Sequence, residues 1–445
     1  MPTYHLRSPV AATAQQLFDW HARPGAIHRL LPPWQATRVL EAPRGLDAGQ
    51  SVLLDLKLLG PIRGRWRSAH TWCERPTGFD DEQVEGPFAR WLHRHRFEDG
   101  ALDDTIDWAP PWIAAPLTGA LATMLGAGFV WRHRRTAEDL RRHTEVDGPP
   151  LRVAISGASG LVGTALTHFL TSGGHEVVPL VRRRDQPGVL WDPTRGEVDV
   201  AGLEGVDAVV HLAGASIAER PWTDERKALL RASRVDGTAT LARALASMQR
   251  PPRTFISGSA VGFYGDRGDT LLDERAEPGQ GFLADVAVAW EAAAKPAADA
   301  GIRTVWLRTG IVLAGDGGAL PAMLPPFRAG VGGPLGGGAQ WVPWIHLDDL
   351  VYAIHFALTR PVEGPLLGVA PASARQSELA SAIGRALGRP AFIPTPAAAV
   401  RAMLGREMAD ELVLSGQRAS PEALVAAGFR WAYPNLDDAL SSILG

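Results

Sequence analysis

A chain of 445 residues is too long for one ordinary hydrophobic core, so two or three domains are expected. Its formal net charge of −3 gives no overall basic field, which argues against a nucleic acid partner. A single cysteine, Cys73, excludes an internal disulfide and a cysteine-based zinc site, in keeping with a reducing cytoplasm.

The opening residues, Met1 to Arg7, are polar and Pro9 follows, so secretion is not expected. Residues 1–147 hold eight of the thirteen histidines and eight of the fifteen tryptophans and read as a separate domain. A helix is expected near Ala14 to Trp20, and alternation at Ser51 to Lys57 and Leu92 to Phe97 predicts antiparallel strands. A long helix at about Gly119 to Arg142 then closes the domain over an open cavity. Trp112 to Trp131 carries no charge, but Pro116, three glycines and the four-residue recurrence of Leu117, Leu121 and Leu125 favour an amphipathic helix over a membrane span. His93 and His95 share one strand face, the geometry for sharing a metal, yet no third ligand stands at a telling spacing and no metal is expected. Trp66, Trp72, Trp91 and Trp108 are expected in the core.

Glu145 to Pro150 forms a linker, because Gly-Pro-Pro cannot continue a helix. Beyond it, Leu151 to Ser156 is a short apolar strand, Gly157-Ala158-Ser159-Gly160-Leu161-Val162-Gly163 a glycine turn, and Leu161 to Ser172 a helix ended by Gly173-Gly174. Three glycines at this spacing let backbone turn sharply, approach a pyrophosphate and pack the helix on the strand. The segments Glu176 to Arg182 and Asp207 to Leu212 read as further strands, so the alternation specifies a parallel sheet. Where an NAD-binding chain places an acid to hold the ribose 2′-hydroxyl, this one has Arg182-Arg183-Arg184, which suits a 2′-phosphate and favours NADP(H).

Further elements are expected at Thr223 to Met248 (helix), Arg253 to Ser257 (strand), Phe282 to Ala300 (helix) and Thr304 to Thr309 (strand). Ala314 to Gly338 is rich in glycine and proline, either a flexible insertion or a lid with a short helix at most. Gln376 to Gly445 reads as short helices punctuated by prolines. Asp348 and Asp349 are expected to cap the helix that begins near Leu350.

Together, GASGLVG at Gly157 to Gly163, HLAG at His211 to Gly214, SGSAVGFYG at Ser257 to Gly265, WEAAA at Trp290 to Ala294, LRTGIVL at Leu307 to Leu313 and PWIHLDDL at Pro343 to Leu350 resemble an extended short-chain dehydrogenase/reductase of the YfcH-like epimerase subfamily. Residues 1–147 are similar to a helix-grip domain of the START/polyketide cyclase-like (SRPBCC) superfamily. The resemblance implies an α/β fold: an α+β helix-grip domain at 1–147, a Rossmann-like doubly wound parallel sheet at 151–365, and a small helical C-terminal domain at 366–445. It implies that Gly157, Gly160 and Gly163 hold the pyrophosphate, Arg182 the 2′-phosphate, and Ala213 and Gly214 the adenine and ribose side, with Ser159, Leu161, Val162, Leu212 and Ser257 also among the residues that bind the NADP(H). Ser259 matches the catalytic serine.

The chain departs from its relatives at the Tyr-x-x-x-Lys pair, in which lysine tunes the tyrosine to pass a proton. Counting back from Glu291, Leu283 stands in the tyrosine's place and Ala287 in the lysine's. Arg234 replaces the active-site asparagine. The remaining proton donors are Tyr264 and His346, with Arg234 or Arg308 to stabilise a carbonyl oxygen. The expected function is a cytoplasmic NADP(H)-dependent oxidoreductase or epimerase acting on a small carbonyl or hydroxyl compound, with an apolar ligand in the first domain. The alternatives are a non-catalytic NADP(H) sensor or scaffold, and a carrier of hydrophobic ligands with a vestigial nucleotide domain. Oligomeric state is not specified by the sequence.

Overall fold

The computed structural model describes residues 2–59, 62–146 and 148–445, so Asp147 of the linker lies outside the described residues. The chain divides into two compact units: Met1–Pro150 with Thr167–His175 and Gly445, and Leu151–Leu166 with Glu176–Leu444.

In the first unit, seven antiparallel strands form one sheet in the order Thr3–Pro9, Ala101–Ala109, Arg90–Glu98, Gly78–Glu85, Ile62–Glu74, Ser51–Leu59, Arg38–Glu41. Side chains alternate across a strand, and Arg90–Glu98 accordingly buries Trp91, His93, His95 and Phe97 on one face. The helix Ala14–Ala22 begins at a capping box: Thr13 Oγ1 accepts the Gln16 amide at 3.2 Å, and Gln16 Oε1 accepts the Thr13 amide at 2.8 Å. The closing helix runs from Thr118 to Thr144, and Pro116 sits in a short 3₁₀ turn before it, where a missing N–H does no harm. Leu121 and Leu125 pack on the cluster of Trp91, Ile106, Trp108 and Phe129. Leu117 is 60% exposed, so the packed stripe starts one turn later than its sequence spacing suggests. By length and composition Ala114–Thr144 is long and apolar enough to cross a membrane, and Trp112, Met124 and Val130 are exposed. Trp66 is half-buried edge-on to Trp91, and Trp72 lies under the Arg96 guanidinium at 4.4 Å.

In the second unit the sheet order is Glu197–Val198, Val189–Asp192, Glu176–Val181, Arg152–Ser156, Ala208–His211, Thr254–Ala260, Arg303–Thr309, Gly364–Gly368. Every pairing is parallel except that of the edge strand Glu197–Val198. The chain fills one half of the sheet from Arg152–Ser156 outward, then returns to the centre with Ala208–His211. The order reverses between these two strands, and in open α/β sheets a ligand crevice opens beyond the strand ends at such a point.

Three expectations change. Val189–Asp192 and Glu197–Val198 went unrecognised in the sequence because they are short and set among turn residues. The helix expected over Phe282 to Ala300 is two, Phe282–Ala293 and Lys295–Asp299, because Pro296 fits only a first turn. Within the glycine- and proline-rich stretch, Ala319–Arg328 is helical and buries Leu320, Leu324 and Phe327 against Leu379, Ile383 and Leu440. That portion is core and not a flexible insertion.

Candidate functional site

At the end of the central strand Arg152–Ser156, Gly157 takes φ +72°, a left-handed conformation that favours glycine. A side chain there would also crowd the backbone of Leu212 and Ala213, at about 3.0 Å from a Cβ. At Gly163 a Cβ would stand 2.1 Å from the Gly157 carbonyl oxygen, so the helix Leu161–Ser172 packs on the turn only because both positions are glycine. Ser159 and Gly160 are exposed at the tip. The facing turn is pinned from below: Ser156 Oγ accepts the Leu212 amide at 3.1 Å and the Ala213 amide at 3.3 Å, and lies 2.6 Å from His211 Nδ1. Burial pushes the His211 imidazole down to about 4. The structure therefore brings Gly157 to Gly163 and Leu212 to Gly214 together at the topological reversal. Ser257 is fully buried inside the sheet, opposite His211.

Among the three arginines after Glu176–Val181, Arg183 pairs with Asp185 and Arg184 with Glu197. Arg182 is exposed and has no carboxylate partner among the described residues. The residues present suit a dinucleotide carrying an extra phosphate: an open glycine turn at a helix N-terminus, with an uncommitted guanidinium at the end of the second strand.

Ser259, on Thr254–Ala260, donates to Glu291 Oε1 at 2.7 Å. Leu283, Ala287 and Glu291 follow at four-residue steps on the helix Phe282–Ala293, so they form one line along its face. Leu283 lies against Gly262, and Ala287 is buried with Val261, Phe263 and Tyr264. Apolar packing thus occupies the places of the tyrosine and lysine. Glu291, whose role the sequence did not disclose, is the hub: Arg308 Nε and Nη2 reach its two oxygens at 2.8 and 2.9 Å. Arg308 Nη1 donates to the Tyr264 hydroxyl at 2.8 Å and to the Glu274 carbonyl at 3.1 Å, so every guanidinium nitrogen is engaged within the protein. Tyr264 is fully buried, its hydroxyl donates to the Asp273 carbonyl at 2.8 Å, and burial pushes it up to about 12 against the pull of Arg308.

His346 caps the helix Leu347–Thr359 by accepting the Asp348 amide at 3.0 Å on Nδ1, while Nε2 meets Ser442 Oγ at 3.1 Å and the ring stacks on Tyr433 at 4.0 Å. The cap expected from Asp348 and Asp349 is therefore His346, and Asp349 instead accepts the Ala432 and Tyr433 amides at 2.7 and 2.9 Å. Arg234 lies beside Gly214, with its guanidinium 5.2 Å from the Trp290 ring and one hydrogen bond to the Leu230 carbonyl. Burial, aided by Arg226, pushes it down to about 10, and no carboxylate pairs with it among the described residues.

The sequence profile of the NAD dependent epimerase/dehydratase family matches residues 153–368, and that of a domain of unknown function, DUF1731, matches 395–443. An epimerase family protein of Mycobacterium bovis is 44% identical over 291 residues, 65% of this chain and 96% of its own length. The chain belongs to the NAD dependent epimerase/dehydratase family. Human epimerase family protein SDR39U1 (isoform 2), solved with NADPH, is 38% identical with a TM-score of 0.62, covering 66% of this chain and 99% of its own. A nucleoside-diphosphate sugar epimerase from Corynebacterium glutamicum is 33% identical with a TM-score of 0.82, over 99% of this chain and 90% of that one. The second unit is thus a Rossmann-like dinucleotide fold.

Proposed function

We propose that this protein is a cytoplasmic NADP(H)-binding oxidoreductase or epimerase of the YfcH-like subfamily that acts on a small carbonyl or hydroxyl compound. Its first unit is a START-like helix-grip domain for substrate or an apolar ligand, whose long helix packs on its own sheet and does not span a membrane. The observation that carries the cofactor reading is Arg182, the arginine of its run that no carboxylate among the described residues neutralises; NADPH in the human relative supports it. When bound, the nicotinamide exchanges a hydride with the substrate carbon.

The chain's own residues then bind and orient. Ser259 gives its one proton to Glu291 and so presents lone pairs, which suit a hydroxyl or amide N–H on the ligand. Arg234, beside Gly214 and with no carboxylate partner among the described residues, supplies positive charge where a carbonyl oxygen gains negative charge. Neither Leu283 nor Ala287 moves a proton, so water serves the substrate oxygen. The same packing favours a second reading, an NADP(H) sensor without turnover.

Titration of the full chain should show NADPH binding at least about tenfold tighter than NADH, with Arg182→Ala removing that preference and leaving NADH affinity unchanged. Equal affinities in the wild type overturn the NADP(H) reading. With a substrate in hand, Ser259→Ala should lower turnover by about 10²–10⁴-fold at constant NADPH affinity. Absence of turnover on a broad carbonyl and alcohol panel, with NADPH still bound, favours the sensor.

A further inference from the structure

The first unit buries a second group of ionisable side chains. Gly78–Glu85, Arg90–Glu98 and Ala101–Ala109 are adjacent strands, with Asp81 paired opposite His93, and His95 opposite Asp104. Side-chain alternation puts all four residues on the face covered by the long helix, and its His133 reaches Asp104 Oδ2 at 2.9 Å. The two imidazoles stand between the two carboxylates. Toward Asp81 Oδ2 they present His93 Nδ1 at 3.2 Å and His95 Nε2 at 3.6 Å. Toward Asp104 Oδ1 they present His93 Nε2 at 3.5 Å and His95 Nδ1 at 2.8 Å.

We propose that Asp81, His93 and His95 form a binding site for one divalent first-row transition cation, held in shape by Asp104. The missing third ligand comes from the neighbouring strand, where sequence spacing gives no sign of it. Ligand atoms about 2.1 Å from a metal stand roughly 3.0–3.4 Å from one another in octahedral or tetrahedral sites; the 3.2 Å separation from His93 to Asp81 falls within that range, and the 3.6 Å one from His95 lies just above it. One carboxylate and two imidazoles suit zinc, iron or their neighbours better than magnesium or calcium, and leave coordination positions open.

A second observation points the same way. Although more than nine-tenths buried, His93 Nε2, His95 Nδ1 and Asp104 Oδ1 make no well-aligned hydrogen bond among the described residues. A cation on the Asp81 side fixes both tautomers so that these ring nitrogens carry the N–H groups aimed at Asp104, the carboxylate–histidine–metal arrangement. His133 donates to the other Asp104 oxygen on Nε2, with Ser8 Oγ 2.8 Å from its Nδ1. Ser68 likewise donates to Asp81 Oδ1, which leaves Oδ2 for the metal. Arg132, whose guanidinium lies 4.7 Å from the Phe129 ring centroid, is attracted by both aspartates.

The test uses the full chain, stripped with a chelator and titrated with Zn²⁺ by calorimetry and with Co²⁺ by visible absorption. One site per chain is expected, with d–d bands of nitrogen-coordinated Co²⁺. His93→Gln with His95→Gln should remove that site, and Asp104→Asn, which keeps all three ligands, should weaken it about 10–100-fold. Near-UV circular dichroism from Trp91 and Trp108 reports whether each variant keeps its core; if the double histidine variant does not, Asp81→Asn, at a less buried position, takes its place. Zn²⁺ binding equal in wild type and folded ligand variant, or no binding to the wild type, overturns the proposal.

Discussion

The two units each bury a cluster of charged side chains, and the clusters are built differently. Around Glu291 in the second unit, each polar group meets a well-placed partner: Ser259 and Arg308 donate to the carboxylate, and the Tyr264 hydroxyl and the Glu274 carbonyl accept from the guanidinium. Around His93 and His95 in the first unit, two carboxylates meet imidazoles whose nitrogens are close but unaligned. A matched network fixes shape, because removing a member costs its buried neighbours a hydrogen bond. An unmatched one with converging donor atoms is arranged for something it does not itself contain.

That contrast is sharpest at Arg308, which is 3% exposed and the only cation on Glu291 among the described residues. Arg308→Met strands the carboxylate, and breaking a buried pair in this way costs about 3–5 kcal/mol. Denaturant unfolding of the transition that NADPH shifts should record the loss, and Arg308→Met with Glu291→Met should recover most of it. A single variant within about 1 kcal/mol of wild type contradicts the matched-network account.

His211 gives the second unit a smaller, pH-dependent test. Its folded-state value is about 4, below the unfolded 6.5, so the unfolded chain takes up the proton first as pH falls. Its contribution is complete above about 6.5 and is lost as pH drops toward about 4, a difference on the order of 3 kcal/mol. The unfolding midpoint of the wild type should fall across that window more steeply than that of His211→Gln. Equal slopes would mean that Ser156 and His211 hold the turn without burying a neutral imidazole.

What the sequence disclosed follows from the range of the interactions involved. The glycine turn, the helix Leu161–Ser172 and the alternation through His93 and His95 are local, and their periodicities are written in consecutive residues. Glu291 and Asp81 were not legible in their roles, because Arg308 reaches Glu291 across 17 positions and Asp81 meets His93 only through strand register. The loss of Tyr-x-x-x-Lys was readable at Leu283 and Ala287, yet only packing reveals that both places are filled by apolar contact with Gly262, Val261 and Phe263. The same limit explains His346, whose histidine chemistry suggested proton transfer and whose partners, Asp348 and Ser442, make it a clasp between helices.

The smallest expected effect separates structure from catalysis at Tyr264. Its hydroxyl donates to Asp273 and accepts from Arg308, so Tyr264→Phe leaves the half-buried Asp273 carbonyl with the Ala276 amide, at 3.2 Å, and Arg308 Nη1 with the Glu274 carbonyl. A loss of about 1–2 kcal/mol is expected, since two hydrogen bonds are gone while both partners keep another and the ring's packing stays. A proton donor must also reach the ligand and lose its proton near working pH, whereas this phenol is fully buried and held at about 12. Turnover and its pH profile should therefore survive Tyr264→Phe once a substrate is known. A variant of unchanged stability that loses its pH dependence would return the proton to Tyr264 and show that the network opens during the reaction.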